Sequence, residues 1–381
     1  MSVPKPSDVE KLLPEHFAAD EMSLLVFGPG HGEAMVVILP DGSLGVIDGC
    51  REPPGDPVEE FVGAWLSAAP GRRISFVGLT HPHEDHYRGL GRLIEKHDRS
   101  IDRLWRTPLT DGLWARAYLQ YAEYCEQNSD QVPVADDLAG LERVIGVLEG
   151  KGARLDVLAA NKVMLRTRVD GRLVSVVSLA PSVNDTDRAL RQLFEAMRKQ
   201  VRVRQDPNLT SAALMVTWGD ARLLLGGDLV CEHGEFEGWT AAAQHVRRPV
   251  QVVKASHHAS GQALHWEILR DVESKLTIVT PFRQAISSQP PRPEGIQQLL
   301  GLGQAVAITS TPQWVQGGAR GPRPVASPQL QARRGRRGRQ RNPALTITPV
   351  LPATNHAVGV SLRADGTITR VLLAGDASFY E

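Results

Sequence analysis

Four potential metal ligands lie within six residues of the sequence, HPHEDH at positions 81–86, directly after an apolar run typical of a buried strand. Because alternate residues of extended backbone point to the same side, His81 and His83 can bind one ion. Asp85 and His86 follow a turn of the chain and can reach a second ion nearby. Imidazole and carboxylate ligands together suit zinc, with manganese or iron as alternatives. The motif therefore predicts a centre for one or two divalent ions.

Two later motifs supply further candidate ligands at the ends of predicted strands. Asp228 follows two glycines, and a carboxylate placed there can bridge two metals, although a GGD sequence alone is more often an ordinary turn. His257 and His258 follow another apolar run, and one of the two can complete the second metal site. Occurring after residues 81–86 in this order, both motifs become credible parts of one site.

Apolar periodicity and turn signals predict the elements that must position these residues. Strands are expected at 23–27, 34–39, 44–47, 74–79, 211–218, 222–225, 250–254, 276–280, 344–351, 357–362 and 367–373. Helices are expected from Pro57, with Asp56 as the N-cap, and at 113–127, 136–150, 184–200 and 293–302. Two strand-rich halves flanked by helices predict an α+β sandwich of two sheets with helices outside, as a single domain over 1–381.

Two segments fall outside this pattern. Residues 107–170 carry no chemical motif and are interpreted as a helical insertion, which offers a surface for a protein partner. Residues 316–342 are dominated by Gly, Pro and Arg and are predicted to be a flexible basic loop. Its six arginines between 333 and 341 are either simply solvated or bind the phosphate backbone of DNA or RNA.

The overall composition restricts the class of protein. Lys+Arg and Asp+Glu both total 43, so nucleic-acid affinity would have to come from a local patch. The N-terminus has no apolar core of signal-peptide length, and no apolar run is long enough to span a membrane. Three cysteines in no paired pattern argue against a disulfide framework. These features predict a cytoplasmic protein without a membrane partner.

The order of the motifs resembles that of the metallo-β-lactamase superfamily, and most closely the hydrolase domain of bacterial competence channels (ComEC-like). Residues 30–33, Gly-His-Gly-Glu, are similar to the GQGD turn of that subgroup. Thr80 stands before HPHEDH as in its THPHxDH motif, and residues 257–260 are similar to its HHGS motif. The resemblance covers about 22–311 and implies an αββα four-layer sandwich with a two-metal site at one edge.

The resemblance also implies a role for each ligand. His81 and His83 would hold metal one, and Asp228 would bridge the two ions. The second metal would take the ligands Asp85, His86 and His257. Asp48, at the end of an earlier strand, would lie behind the ligands and orient them through hydrogen bonds.

One feature departs from the wider family. Many members supply another histidine between HxHxDH and the bridging aspartate, but here no histidine occurs between His97 and His233. At the corresponding place the chain reads DPNLTS at 206–211, similar to the Asn-x-x-Ser of the competence subgroup, so Asp206, Asn208 or water could complete metal one. This departure favours oxygen-rich, phosphate-directed chemistry over β-lactam hydrolysis.

Two cations a few ångströms apart can lower the pKa of a bridging water and hold a phosphoryl or carbonyl oxygen. Asp85 could then accept a proton from the nucleophile as well as bind metal. His258, Lys254 and His31 are candidates for stabilising charge in the transition state or protonating the leaving group. For each of these three a purely structural role is the alternative.

Three functions remain open at this stage. The first is a metal-dependent phosphodiesterase, most simply a nuclease that uses a metal-bridging hydroxide. The second is a hydrolase of a small ester, lactone or thioester, because the fold does not determine the substrate. The third is a metal-binding scaffold or regulatory subunit with weak or lost catalysis, for which 107–170 would be the partner surface.

Overall fold

A computed structural model describes residues 14–18, 20–29, 32–50, 55–127, 138–150, 154–199, 207–231, 234–261, 263–282, 289–318, 320–325 and 356–381. The strands are β1 (Met22–Phe27), β2 (Ala34–Ile38), β3 (Leu44–Ile47), β4 (Ile74–Gly78), β5 (Arg103–Arg106), β6 (Arg154–Val157), β7 (Lys162–Val169), β8 (Arg172–Ser178), β9 (Leu214–Trp218), β10 (Ala221–Leu225), β11 (Val252–Lys254), β12 (Leu276–Val279), β13 (Ala305–Ile308), β14 (Pro324–Val325), β15 (Ala357–Leu362), β16 (Ile368–Ala374) and β17 (Ser378–Tyr380). The helices are α1 (Pro57–Ala68), α2 (Glu84–Tyr87), α3 (Leu90–His97), α4 (Gly112–Gln127), α5 (Leu138–Gly150), α6 (Val183–Lys199), α7 (Gly238–Ala243), α8 (Trp266–Asp271), α9 (Pro293–Gly301) and α10 (Gln313–Gln316). Short 3-10 helices cover Pro14–His16, Asp98–Ser100, Pro108–Thr110, Pro207–Thr210 and Ser256–Ala259.

These strands form two mixed sheets. The first has the order β16-β15-β1-β2-β3-β4-β5-β6, and the second has the order β14-β17-β13-β12-β11-β10-β9-β8-β7. In the first sheet the pairs from β3 to β6 are parallel, and in the second the pairs from β10 to β13 are parallel. The remaining pairs in both sheets are antiparallel.

Successive side chains of each strand point to opposite faces of the sheet, and this alternation produces the layers. On β1, Leu24 packs in a core shared by both sheets, whereas the next residue, Leu25, packs in the core on the other face of the first sheet. That outer core includes residues of α1, α3, α4, α5 and α6. A third core joins the outer face of the second sheet to α7, α8 and α9. The predicted αββα four-layer sandwich of α+β class is therefore confirmed.

The segment 107–170, predicted to be a helical insertion, contributes to three of the four layers of the sandwich. Its helices α4 and α5 pack on the first sheet. Its strands also extend the sheets, because β6 pairs with β5 at the edge of the first and β7 pairs with β8 at the edge of the second. The helices are thus as expected, but the described part of the segment is not only a decoration of the core.

The loops that carry the chemical motifs lie at one edge of the sandwich. Asp48 follows β3, and HPHEDH follows its parallel neighbour β4. The GGD sequence follows β10, the two histidines follow β11, and Thr280 follows β12. Because parallel neighbours end at the same edge of a sheet, these residues from distant parts of the chain come together.

The predicted loop at 316–342 is described only in its first part. Here β14 pairs antiparallel with β17, so the chain near Val325 is tied to the second sheet. The six arginines and the predicted strand at 344–351 lie outside the described residues. In the described ranges, no helix has both the length and the apolarity needed to cross a membrane.

Candidate metal centre

Asp48 connects the first sheet to the HPHEDH motif. It is fully buried and has a left-handed backbone, with φ of 61°. Its carboxylate accepts hydrogen bonds from the backbone N–H and the hydroxyl of Thr80, both at 2.7 Å, and lies 2.7 Å from His86 Nδ1. Burial raises the pKa of Asp48, and the charge of His86 and these hydrogen bonds act against burial. A carboxylate in this position can orient a metal-binding imidazole.

His81, His83 and Asp228 form the first group of potential ligands. His81 Nε2 lies 3.0 Å from His83 Nδ1 and 3.9 Å from Asp228 Oδ2. One ligand atom from each of the three residues lies within 4.8 Å of the others. Burial, together with the nearby charges of His86 and His83, lowers the pKa of His81 well below its usual range. His81 is therefore a neutral imidazole, the form that binds metals.

A second group of potential ligands consists of Glu33, His86, Asp228 and His258, each with one ligand atom within 4.8 Å of the others. His86 Nε2 and His258 Nε2 are 3.4 Å and 3.8 Å from Asp228 Oδ2. Asp85 Oδ2 lies between the same two rings, 3.6 Å from His86 Nε2 and 3.3 Å from His258 Nε2. The carboxylate of Asp228 thus faces both groups, which is the arrangement a bridging ligand requires.

The turn between β10 and Asp228 depends on two glycines. Gly227 has φ of 49°, and a Cβ there would lie 2.4 Å from the carbonyl oxygen of Ala212. A Cβ on Gly226 would lie 2.9 Å from the backbone of Ser256. The N–H of Asp228 donates to Ser211 Oγ at 2.9 Å, which fixes the start of its side chain. Larger residues would push this carboxylate out of the site.

The structure distinguishes the two adjacent histidines. His257, His258 and Ala259 all have positive φ, of 46°, 54° and 58°. The side chain of His258 points to Asp85 and Asp228, whereas His257 Nδ1 lies 3.2 Å from Ser260 Oγ. Among the described residues, His258 is the one of the two whose ring nitrogen joins a group of potential ligands, while the charge of His257 also acts on Asp228 and His257 stays a predicted ligand.

Lys254, predicted as a candidate for stabilising charge in the transition state, is paired with a carboxylate behind the ligands. Its side chain is fully buried, and its ammonium donates to Glu33 and to the carbonyl of Gly227. Glu33 is also fully buried. Glu33 ends the turn at 30–33 that resembles the GQGD motif, but it was not predicted to be a site residue.

Three hydroxyl residues around the site were also missed as site residues. Thr80 lies 3.1 Å from His81 Nδ1, and Ser211 lies 3.4 Å from the same atom. Thr280 contacts His258 Nδ1 at 3.1 Å. Thr80 directly precedes His81, and Ser211 ends the DPNLTS sequence at 206–211. Their place in these two motifs was the sequence signal that could have identified them as site residues.

The remaining predicted site residues lie around the first group or outside the described residues. Asn208 is buried in the short 3-10 helix three residues before Ser211, and its carbonyl accepts from the N–H of Ser211 at 3.1 Å. His31 and Asp206 lie outside the described residues. In the described ranges, no third histidine joins His81 and His83 in their ligand group.

The donor set fits divalent cations. Within the described residues, His86 Nε2 and Asp228 Oδ1 are buried atoms that make no hydrogen bond. Leaving buried polar atoms in this state is costly unless a ligand satisfies them. Imidazole nitrogens and carboxylate oxygens are donors that zinc and manganese accept. Both groups of ligands therefore have the composition and the spacing of metal sites.

Charge in the site supports the same conclusion. Burial has the largest single effect and raises the pKa of Asp228 and of Asp85, but the charges and hydrogen bonds of the surrounding histidines, foremost His86, together hold both pKa values below their usual range. Burial lowers the pKa of His86 and of His258, but nearby carboxylates, foremost Asp228, raise both above the ordinary value, so each ring must release a proton when it binds a metal. The carboxylates are ionised and depend on nearby positive charge, which a cation can provide.

Comparison with known proteins shows the family. The sequence profile of the metallo-β-lactamase superfamily matches residues 27–274, more than half of the chain. The chain therefore belongs to the metallo-β-lactamase superfamily. None of the curated proteins matches it.

Several solved structures are similar at low sequence identity. Igni18, a metallo hydrolase of the archaeon Ignicoccus hospitalis, is 11% identical, with 74% of this chain and 94% of that chain covered and a TM-score of 0.38. The metallo-β-lactamase fold protein YhfI of Bacillus subtilis is 9% identical, with 76% and 96% covered and a TM-score of 0.41. A variant of CmlA β-hydroxylase is 16% identical, with 68% of this chain covered and a TM-score of 0.38. This chain spans 45% of the length of the CmlA protein. At these identities the likeness concerns the fold alone.

Proposed function

We propose that the protein is a metal-dependent phosphodiesterase that acts as a nuclease. The observation that carries this proposal is the composition of the first ligand group, in which His81 and His83 are joined by Asp228 and, among the described residues, by no third imidazole. Asn208 and Ser211 occupy the adjoining helix and turn. Oxygen-rich surroundings favour hard cations and phosphoryl oxygens. The likeness of the motifs to the competence-channel subgroup supports the same substrate class.

Each residue of the site has a defined task in this proposal. His81, His83 and Asp228 would hold one ion, and Asp85, His86, His258 and Asp228 the other. Bound divalent ions lower the pKa of water and stabilise charge on phosphoryl oxygens. Asp85 is partly exposed and lies beside the imidazoles of His86 and His258, so its carboxylate is placed to accept the proton of an attacking water. His86 is held in one orientation by Asp48.

The arginine-rich sequence at 333–341 is the proposed contact for DNA or RNA. After it, the described chain resumes at His356, whose carbonyl accepts from the N–H of Gly28 at 3.1 Å. Gly28 is packed against Thr280, because a Cβ on it would lie 2.7 Å from Thr280 Cγ2. Thr280 in turn contacts His258. The chain that follows the arginine-rich sequence is therefore tied at His356, through Gly28 and Thr280, close to the second ligand group.

An activity screen on the metal-loaded protein tests the proposed function. Zinc and manganese are each added to the metal-free protein, with bis-p-nitrophenyl phosphate, plasmid DNA, a lactone and nitrocefin as substrates. We expect hydrolysis of the phosphodiester and degradation of DNA, with at most trace turnover of nitrocefin. Efficient turnover of nitrocefin or of the lactone without phosphodiesterase activity would contradict the proposal. Full metal occupancy without any hydrolysis would favour a metal-binding scaffold.

A further inference from the structure

A buried ion pair lies directly behind the metal centre. The side chains of Glu33 and Lys254 are both fully buried, although 221 residues separate them in the sequence. The Lys254 ammonium donates to Glu33 Oε1 and to the carbonyl of Gly227, the residue before Asp228. Burying two charges is costly, and a pair of apolar residues would be at least as stable in many proteins. Stability alone therefore does not explain this pair.

Glu33 lies on the far side of the histidine ligands. Its Oε2 is 3.6 Å from His258 Nδ1, and its Oε1 is 4.0 Å from His86 Nδ1. The Nε2 atoms of the same rings face Asp228 instead. The carboxylate of Glu33 thus sits behind both rings, where it can orient imidazoles.

Thr280 connects Glu33 to His258 through an ordered set of hydrogen bonds. The Thr280 hydroxyl donates to Glu33 Oε2 at 2.5 Å. The same hydroxyl oxygen is 3.1 Å from His258 Nδ1, and the Thr280 carbonyl is also 3.1 Å away. Both oxygens face Nδ1 as acceptors, so Nδ1 must carry the proton. In the neutral ring, the lone pair of His258 then lies on Nε2.

We infer that Glu33, Lys254 and Thr280 form a relay that positions His258 as a metal ligand through Nε2. Lys254 donates to Glu33 and holds its carboxylate in place, Glu33 orients the Thr280 hydroxyl, and that hydroxyl accepts the proton of Nδ1. The inference rests on the proposed metal centre. It differs from the direct contact of Asp48 with His86, because here a threonine stands between carboxylate and imidazole.

Two changes break the relay at different points. Thr280→Val removes the hydroxyl without changing the shape of the side chain, and Thr280→Ser retains the hydroxyl. Glu33→Met with Lys254→Met replaces both charges by apolar groups and leaves no unpaired ion. Thr277→Val is the matched control, since this buried threonine lies three residues earlier, on β12, and donates to Gln304 at 2.5 Å, away from the site.

Two measurements test the relay. Nitrogen-15 NMR of labelled histidines in the metal-free protein, at a pH where His258 is neutral, reports which ring nitrogen carries the proton. Competition with a chromophoric chelator gives the affinity for each zinc equivalent. We expect the proton on Nδ1, and a loss of about 10–100-fold in affinity for one zinc equivalent in Thr280→Val and in the double methionine variant. The combined variant should lose no more than either one, and Thr280→Ser and Thr277→Val should behave as wild type.

Several results would overturn the inference. A proton on Nε2 of His258 in the metal-free wild type contradicts the relay whether or not metal binds. Wild-type zinc affinity and an unchanged Nδ1–H signal in Thr280→Val contradict it as well, even if the melting temperature falls. If the wild type binds no zinc, the proposed function fails, and the NMR measurement still decides on the relay. If the wild type binds two ions and the relay variants do so equally well, only the relay is wrong.

Discussion

Replacing Asp48 by Asn isolates the electrostatic part of the proposed site. Asn has the shape of Asp and tolerates the left-handed backbone at φ of 61°, so the fold should persist. One oxygen remains to accept from the N–H of Thr80. In the wild type, Asp48 Oδ2 lies 2.7 Å from His86 Nδ1. In the variant, the amide NH2 group takes the place of this oxygen and faces Nδ1 as a donor. His86 can restore this hydrogen bond only by accepting at Nδ1, which places the proton on Nε2.

That proton would occupy the atom that faces Asp228, 3.4 Å away. A hydrogen bond to a charged group contributes about 1.5–3 kcal/mol, and about 1.4 kcal/mol corresponds to a tenfold change in affinity. The expected loss is therefore about 10–100-fold in affinity for the zinc equivalent bound through His86. Chelator competition measures it, with Asp365→Asn as the control, because Asp365 accepts from Thr367 N at 2.8 Å in an exposed turn. Wild-type affinity for both equivalents in Asp48→Asn would refute this reasoning.

Three further predictions concern catalysis, substrate binding and stability. Asp85→Ala should abolish phosphodiester hydrolysis, since it removes a ligand and a proton acceptor together; residual turnover near the wild-type rate would contradict this. Changing the six arginines between 333 and 341 to serine should flatten the salt dependence of DNA binding, by a slope of about 0.9 per lost phosphate contact, while turnover of a small phosphodiester stays constant. Unchanged DNA binding across a salt series would exclude these arginines as the contact. Ser182→Ala should lower the free energy of unfolding by about 1 kcal/mol, because Ser182 Oγ accepts from the N–H of Asp185 at 3.0 Å at the start of α6; urea denaturation with an unchanged midpoint would contradict it.

Local signals were sufficient for much of the fold. The strand at 44–47 has the predicted bounds, and α1 begins at Pro57 with the side chain of Asp56 accepting from Glu59 N. Strands β7 and β8 were missed, although the sequence holds a signal for them. Asp170 and Gly171 between the two strands form an Asp-Gly pair typical of a tight hairpin turn, and both residues have the positive φ of such a turn. The short strand β6 has a weaker sequence signal, because its four residues are half-buried or exposed and show no apolar pattern.

The candidate site was only partly accessible from the sequence. The spacing in HPHEDH and the order of the later motifs depend on local chemistry, and a pattern of residue types reveals them. The pairing of Glu33 with Lys254 is a tertiary contact across both sheets, and no local pattern encodes it. The choice between His257 and His258 depends on consecutive left-handed residues, which reverse the alternation expected for extended backbone.

The number of divalent ions bound per chain tests the metal centre most directly. Protein purified without chelator and then loaded with zinc should contain two ions by elemental analysis. His81→Ala with His83→Ala should contain one ion, because the group around His86 and His258 is intact. Two ions in this variant, or none in the wild type, would contradict the account.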